Sequence, residues 1–132
     1  MNALILDTNA LIRFLEHGQD YADVFSRFDR LLIPAIVEGE YRVGIDPATN
    51  AGRRRARALD LLLTSSAVDR LPVDHKMAMK YAEVFNQLKR QGNPIPQNDI
   101  WIAAAAIVTD ATLCTSDRHF ECVNQLKRIM LD

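Results

Sequence analysis

Short, unbroken apolar runs that each lead directly into a segment of helical period constrain this chain more than any other feature. Ala3-Leu4-Ile5-Leu6 and Leu31-Leu32-Ile33 are such runs. A strand with one wet face alternates apolar and polar residues, so a run without alternation predicts a strand buried on both faces. From Ala10 the period becomes helical through Leu11, Ile12, Phe14 and Leu15, closing at Glu16-His17-Gly18. A second helix is expected from about Asp20, with Tyr21, Val24, Phe25 and Phe28 on one stripe. Pro34 suits the first turn of a third helix over residues 35–43, where a missing N–H costs nothing, and Gly44 suits a left-handed cap. A long helix over 51–65, a strand at 70–73 and a helix from Asp74 carrying Met77, Tyr81, Val84, Phe85 and Leu88 follow. Residues 92–96 hold two prolines and read as a stiff turn. Asn98 and Asp99 open a helix over 100–109, Thr112 to Thr115 reads as a strand, Ser116-Asp117 leads into a short helix, and 127–131 suits a last edge strand. Alternating strands and helices predict a three-layer α/β/α sandwich around a central, mainly parallel sheet of four to five strands. No repeat or linker divides residues 1–132, so one domain is expected.

Composition narrows the function classes. Sixteen Lys and Arg against seventeen Asp and Glu give a net charge of −1, which excludes a body that holds nucleic acid by bulk electrostatics. Nearly half apolar residues and a quarter charged exclude compositional disorder. Cys114 and Cys122 are too few and too oddly spaced for a disulfide scaffold or a CxxC metal knuckle, and read as thiols in a reducing compartment. The start, Met1-Asn2-Ala3-Leu4-Ile5-Leu6-Asp7, meets a carboxylate before a secretory apolar core can form. The longest apolar run, Ile100 to Val108, is less than half of the ~20 residues a membrane-spanning helix needs. A soluble cytoplasmic domain with no membrane partner is the expectation.

The chemistry lies in the carboxylates. Ligands of an open α/β sheet bind beyond the carboxyl ends of its strands, where Asp7 and Asp117 fall. Both also precede helices and fit N-caps, so a structural role and a ligand role stand side by side. Glu40 lies inside a helix, where capping does not apply. At roughly 100° per residue it shares a stripe with Ile36 and Val43, the face expected to pack on the sheet, whereas Glu38 lies about 200° away toward solvent. A carboxylate on a packed face needs a cation, because burying its charge alone costs several kcal/mol. Asp99 opens its helix, as a cap or as a charge favoured by the helix dipole. If these four met in one cleft, each pair at ~4 Å would repel by about 4 kcal/mol at an effective dielectric near 20, and protons or metal ions would have to offset that. Oxygen ligands alone select Mg²⁺ or Mn²⁺ over Zn²⁺. His17, His75 and His119 share no HxxxH spacing and read as surface or partly buried imidazoles, with a minor role near the site open to His119 beside Asp117. No nucleophile elbow and no phosphate-cradling glycine loop is present.

Four segments together resemble the PIN-domain ribonucleases, in particular the VapC-type toxins of toxin–antitoxin pairs. They are Leu6-Asp7-Thr8-Asn9; residues 33–44 around Glu40, with its E-x-x-x-G setting; Asn98-Asp99-Ile100-Trp101-Ile102-Ala103-Ala104; and Thr115-Ser116-Asp117-Arg118-His119-Phe120. In order and spacing they span essentially the whole chain. The resemblance implies that Asp7, Glu40, Asp99 and Asp117 hold one or two Mg²⁺ or Mn²⁺ ions. It further implies that Asn9, Thr115 and Ser116 orient ligands or contact substrate, unless they serve only as caps and turn formers. The implied activity is endoribonucleolytic hydrolysis through a metal-activated water. The implied partners are RNA, a small antitoxin protein and a second copy of the chain in a homodimer.

Arg53, Arg54, Arg55 and Arg57 form the one basic cluster, which suits an RNA backbone, acidic residues of an antitoxin, or a merely solvated helical face. Lys89 and Arg90 can add to it. Tyr21, Phe25 and Phe28 read as core, with a groove for a partner helix as the alternative, and Tyr81, Phe85 and Leu88 share that ambiguity. Two rival readings compete with the nuclease: a non-catalytic binding module whose acids only cap helices, and a receiver-like Mg²⁺-binding signalling domain. The second wants paired acids after the first strand, where this chain has Asp7-Thr8-Asn9.

Overall fold

A computed structural model describes residues 2–131. The elements are β1 (Ala3–Leu6), α1 (Thr8–His17), a 3-10 turn (Gly18–Tyr21), α2 (Ala22–Phe25), β2 (Arg30–Pro34), α3 (Ala35–Val43), α4 (Asn50–Leu63), β3 (Val68–Leu71), α5 (His75–Gln91), α6 (Gln97–Val108), β4 (Thr112–Thr115), a second 3-10 turn (Arg118–Cys122) and β5 (Arg128–Met130). The five strands form one sheet in the order β3-β2-β1-β4-β5, every neighbouring pair parallel. After β1 the chain winds outward through β2 and β3, then crosses back to lay β4 and β5 on the other side. The winding therefore reverses between β1 and β4, and the crevice beyond their carboxyl ends is the natural ligand site of such a sheet.

All four residues of β1 are buried. Because successive strand side chains point to opposite faces, both faces of the sheet are covered there, as the unbroken apolar run predicts. α6 is nearly as enclosed: Ile100, Ile102 and the four alanines Ala103, Ala104, Ala105 and Ala106 are buried. Small side chains around a helix let neighbours approach on several sides, and α6 lies against α3, α5 and β4. Phe120, wholly buried, anchors the second 3-10 turn to the core.

Several local expectations are corrected. The second helix is only a 3-10 turn plus one α-turn, and it ends before Phe28. Tyr21, Phe25 and Phe28 nonetheless pack against the core. Pro34 ends β2 and sits at the N-cap of α3 with extended ψ, not inside its first turn. Gly44 has φ −79°, so it is no left-handed cap, whereas Gly92 closes α5 at φ 71°. β3 lies two residues earlier than expected, because Pro72 has no N–H to donate to a ladder. Tyr81 stacks on Trp101 at 4.2 Å and Leu88 is buried, while Phe85 keeps 40% of its surface exposed.

Gly52 is the third residue of α4, where its N–H donates to the capping Thr49 Oγ1 at 2.9 Å. A Cβ there would lie 1.8 Å from the Asp46 carbonyl oxygen and 2.6 Å from its carbon. Glycine to alanine in an open helix stabilises by roughly 0.5–1 kcal/mol. Here the sign reverses: Gly52→Ala is predicted to destabilise by about 1–3 kcal/mol, read from the urea midpoint at unchanged slope.

Candidate metal centre

Asp7 follows the last residue of β1 and is 5% exposed. It is cap and cluster member at once. Its Oδ1 accepts the Ala10 N–H at 2.8 Å, closing the N-terminus of α1, and its Oδ2 accepts the hydroxyl of Thr115 at the end of β4. Thr115 Oγ1 in turn accepts the Asp117 N–H at 2.9 Å, so one hydrogen-bonded chain joins the ends of the two strands that flank the switch point. Asp117 caps the second 3-10 turn, its Oδ1 accepting the His119 N–H at 2.9 Å.

Asp99 arrives from α6. That helix begins three residues earlier than expected, at Gln97, so Asp99 stands within the first turn rather than at the cap. Its Oδ2 lies 3.2 Å from His119 Nδ1, and Asp117 Oδ2 lies 3.1 Å from the same nitrogen. Ligand atoms of Asp99, Asp117 and His119 all fall within 4.8 Å of one another. His119, read from sequence as a surface imidazole, is thus half exposed yet inside the cluster.

Glu40 reaches the site by a different route from the one its helical stripe suggests. Val43 is 87% exposed, and the buried face of α3 is Val37 and Tyr41. Glu40 flanks that face. Thr8 Oγ1 donates to its Oε1 at 2.6 Å and Asn98 Nδ2 donates to its Oε2 at 3.2 Å, tying α3 to the N-termini of α1 and α6. No cation is needed to hold it. Glu38, expected in solvent, is the carboxylate with cations: Arg42 and Arg70 both bond it at 3.0 Å. Burial opposes its charge, but those two guanidiniums outweigh burial and hold its pKa below the usual range. Thr8 and Asn98 escaped the sequence reading. Their polar side chains beside Asp7 and Asp99 were the available signal. Asn9 is exposed in the first turn of α1, and Ser116 is half-buried between Thr115 and Asp117.

The electrostatics are those of a crowded anionic pocket. Burial is the first cause that raises the Asp7 pKa; hydrogen bonds from Thr115 and Ala10 oppose it, and the charges of Asp99 and Asp117 add to it. Asp99 is raised by burial foremost, with His119 opposing and Asp117 and Glu40 adding repulsion. Hard oxygen donors that disfavour one another's charge, with one imidazole beside them, are a donor set that fits a divalent cation. Cys114, beside Asp7, is pushed up to about 12 by burial and then by that carboxylate, which leaves its thiol inert.

The basic cluster divides on α4. Arg53 bonds the Pro47 carbonyl at 3.1 Å, while Arg55 reaches Glu16 of α1 at 3.9 Å. Arg54 and Arg57 are exposed. Arg55 also lines a cavity of about 130 Å³ together with Glu40, Glu16 and Tyr41, so positive charge stands next to the acidic pocket. No described helix is long and apolar enough to cross a membrane.

The PIN domain family model matches residues 4–126. The chain belongs to the PIN domain family. It is 30% identical over 128 residues to Ribonuclease VapC1 of Haemophilus influenzae strain R2866, covering 93% of each chain. VapBC-1 from nontypeable Haemophilus influenzae matches in structure with TM-score 0.82 and 29% identity, over 97% of each chain. VapBC-5 of Mycobacterium tuberculosis, a member of the VapBC family of toxin-antitoxin systems, matches with TM-score 0.76 and 26% identity, over 99% of this chain and 100% of that one. The PIN family match and the strand order β3-β2-β1-β4-β5, which differs from the 2-1-3-4-5 order of receiver-like sheets, set aside the receiver-like alternative.

Because Asp7 and Asp99 carry raised pKa values, the stability they contribute is full below the ordinary carboxylate range and is lost as pH rises through their shifted values. In EDTA-treated protein, melting temperature is therefore predicted to fall as pH climbs above the ordinary carboxylate range. Asp7→Asn is predicted to flatten that fall and to melt higher than the parent at neutral pH.

Proposed function

We propose that the chain is a VapC-type ribonuclease, the toxin of a toxin–antitoxin pair, and that it hydrolyses RNA phosphodiester bonds with Mg²⁺, or Mn²⁺ in its place. The convergence of Asp7, Glu40, Asp99 and Asp117 at the β1/β4 switch point of a PIN domain carries this reading. Capping alone accounts for Asp7 and Asp117 but not for Asp99 or Glu40, which disfavours the non-catalytic module.

Asp7, Asp99 and Asp117 would hold the ion, with Glu40 completing the acidic ring. A bound divalent ion supplies a water of much lowered pKa and neutralises charge on the phosphate. Asp7 is fixed by Ala10 and Thr115, so its carboxylate needs no reorganisation when substrate arrives. Glu40, steadied by Thr8 and Asn98, would orient the attacking water and take up its proton. Attack in line on phosphorus would leave 5′-phosphate and 3′-hydroxyl ends, with no covalent enzyme intermediate. Asn9, two residues after Asp7, and Ser116, between Thr115 and Asp117, would contact the substrate phosphate. Arg54, Arg57 and the Arg55 side of the cavity would attract the RNA backbone, which the carboxylates alone would repel.

A second cavity of about 280 Å³, lined by Leu15, Tyr41, Ala58, Arg54 and Arg55, adjoins the one that contains Glu40. An antitoxin segment with apolar and acidic side chains would fit this run and end beside Glu40. Work in the cytoplasm and assembly as a homodimer belong to the same reading.

Two measurements test it. Mg²⁺ at a hundred times its Kd is predicted to stabilise the protein by about 2.7 kcal/mol, roughly 10 °C in melting temperature. Sequencing of new RNA 5′ ends in cells is predicted to show sites that vanish, by about 10²-fold or more, in Asp99→Asn. Unchanged cleavage in that variant, or a parent that binds neither Mg²⁺ nor Mn²⁺, sinks the proposal.

A further inference from the structure

We propose that His119 is a nitrogen ligand of this metal centre and that it biases the site toward Mn²⁺ over Mg²⁺. The inference rests on the metal-dependent reading above. The observation behind it is the placement of Nδ1 between two carboxylates, 3.2 Å from Asp99 Oδ2 and 3.1 Å from Asp117 Oδ2. Neighbouring ligands at ~2.1 Å from one octahedral ion stand √2 times farther from each other, about 3.0 Å. These spacings match two edges of such an octahedron with Nδ1 at their common corner.

The backbone prepares this corner. Asp117 Oδ1 accepts the His119 N–H, which turns the chain so that ring and carboxylate of residues two apart face the same point. Thr115 fixes Asp117 through its N–H, and Phe120, buried next in sequence, pins the turn. The ring itself is half exposed, so it can present a lone pair on Nδ1 with its proton on Nε2 facing outward. Mg²⁺ favours oxygen donors and parts reluctantly with water, whereas Mn²⁺ lies on the transition series that accepts imidazole. One imidazole among carboxylates therefore strengthens Mn²⁺ more than Mg²⁺.

The test uses the full chain loaded with Mn²⁺ alone. Pulsed EPR of the parent is expected to show nitrogen coupled directly to manganese, and His119→Ala and His119→Asn are expected to lose that coupling. Calorimetry is expected to show Mn²⁺ affinity falling on the order of tenfold in His119→Ala, with Mg²⁺ affinity changed by less than about threefold. An oxygen-only spectrum in the parent, equal losses for both ions, or Mn²⁺ binding as tight or tighter in His119→Ala overturns the nitrogen ligand while leaving the acidic site intact. A parent that binds Mg²⁺ but no Mn²⁺ overturns the nitrogen ligand alone, and one that binds neither ion overturns both readings. The half-exposed ring leaves the fold of the variants safe, and matching melting curves in EDTA verify it.

Discussion

The acceptance of the Thr115 hydroxyl by the buried Asp7 carboxylate is the constraint on which the rest of the site depends. β1 and β4 are neighbours in the sheet but lie more than a hundred residues apart in sequence. Pairing them in register brings Leu6 opposite Cys114, and hence Asp7 within reach of Thr115. A carboxylate taken out of water must be hydrogen-bonded or paired. Asp7 meets that demand with one backbone N–H from its own helix and one hydroxyl from the far side of the switch point. The same hydroxyl receives the Asp117 N–H, so the position of one acid sets the position of the next.

This arrangement satisfies hydrogen bonds but not charge. Burial and mutual repulsion both disfavour the ionised forms of Asp7 and Asp99, and His119 relieves only part of that strain. Under the proposed reading, such a site would trade stability of the protein for affinity toward a cation, because whatever binds the folded state and not the unfolded one restores the lost free energy. The contrast with Glu38 is instructive. On the same helix, two arginines hold that carboxylate well ionised, and it has nothing left to offer a metal. Glu40, two residues on, is held instead by two neutral donors, the Thr8 hydroxyl and the Asn98 amide.

Much of this was legible in the sequence. The unbroken apolar run of β1 announced a strand covered on both sides, and the alternation of strands with helices announced parallel pairing. The four acids stood out because each follows a strand or opens or interrupts a helix where a carboxylate needs a reason. What failed was the finer geometry. The stripe Ile36, Glu40, Val43 looked apolar enough to face the sheet, yet the core takes Val37 and Tyr41, because β2 delivers α3 in an orientation that helical period alone does not specify. The place of His119 two residues after Asp117 left a role near the site open, but its approach to Asp99 could not be read, because Asp99 comes from a different element. Thr8 and Asn98 gave no signal beyond their neighbours.

Local chemistry in the sequence by itself determined which segments become strands and helices, that the sheet is parallel, and which acids stand at element ends, since period, burial and capping are properties of adjacent residues. Only the tertiary structure decided which side chains share a hydrogen bond or a charge, because strand order and helix rotation are fixed by packing across the whole core. That packing made Asp7 a partner of Thr115, left Glu40 to Thr8 and Asn98, and set an imidazole between two carboxylates.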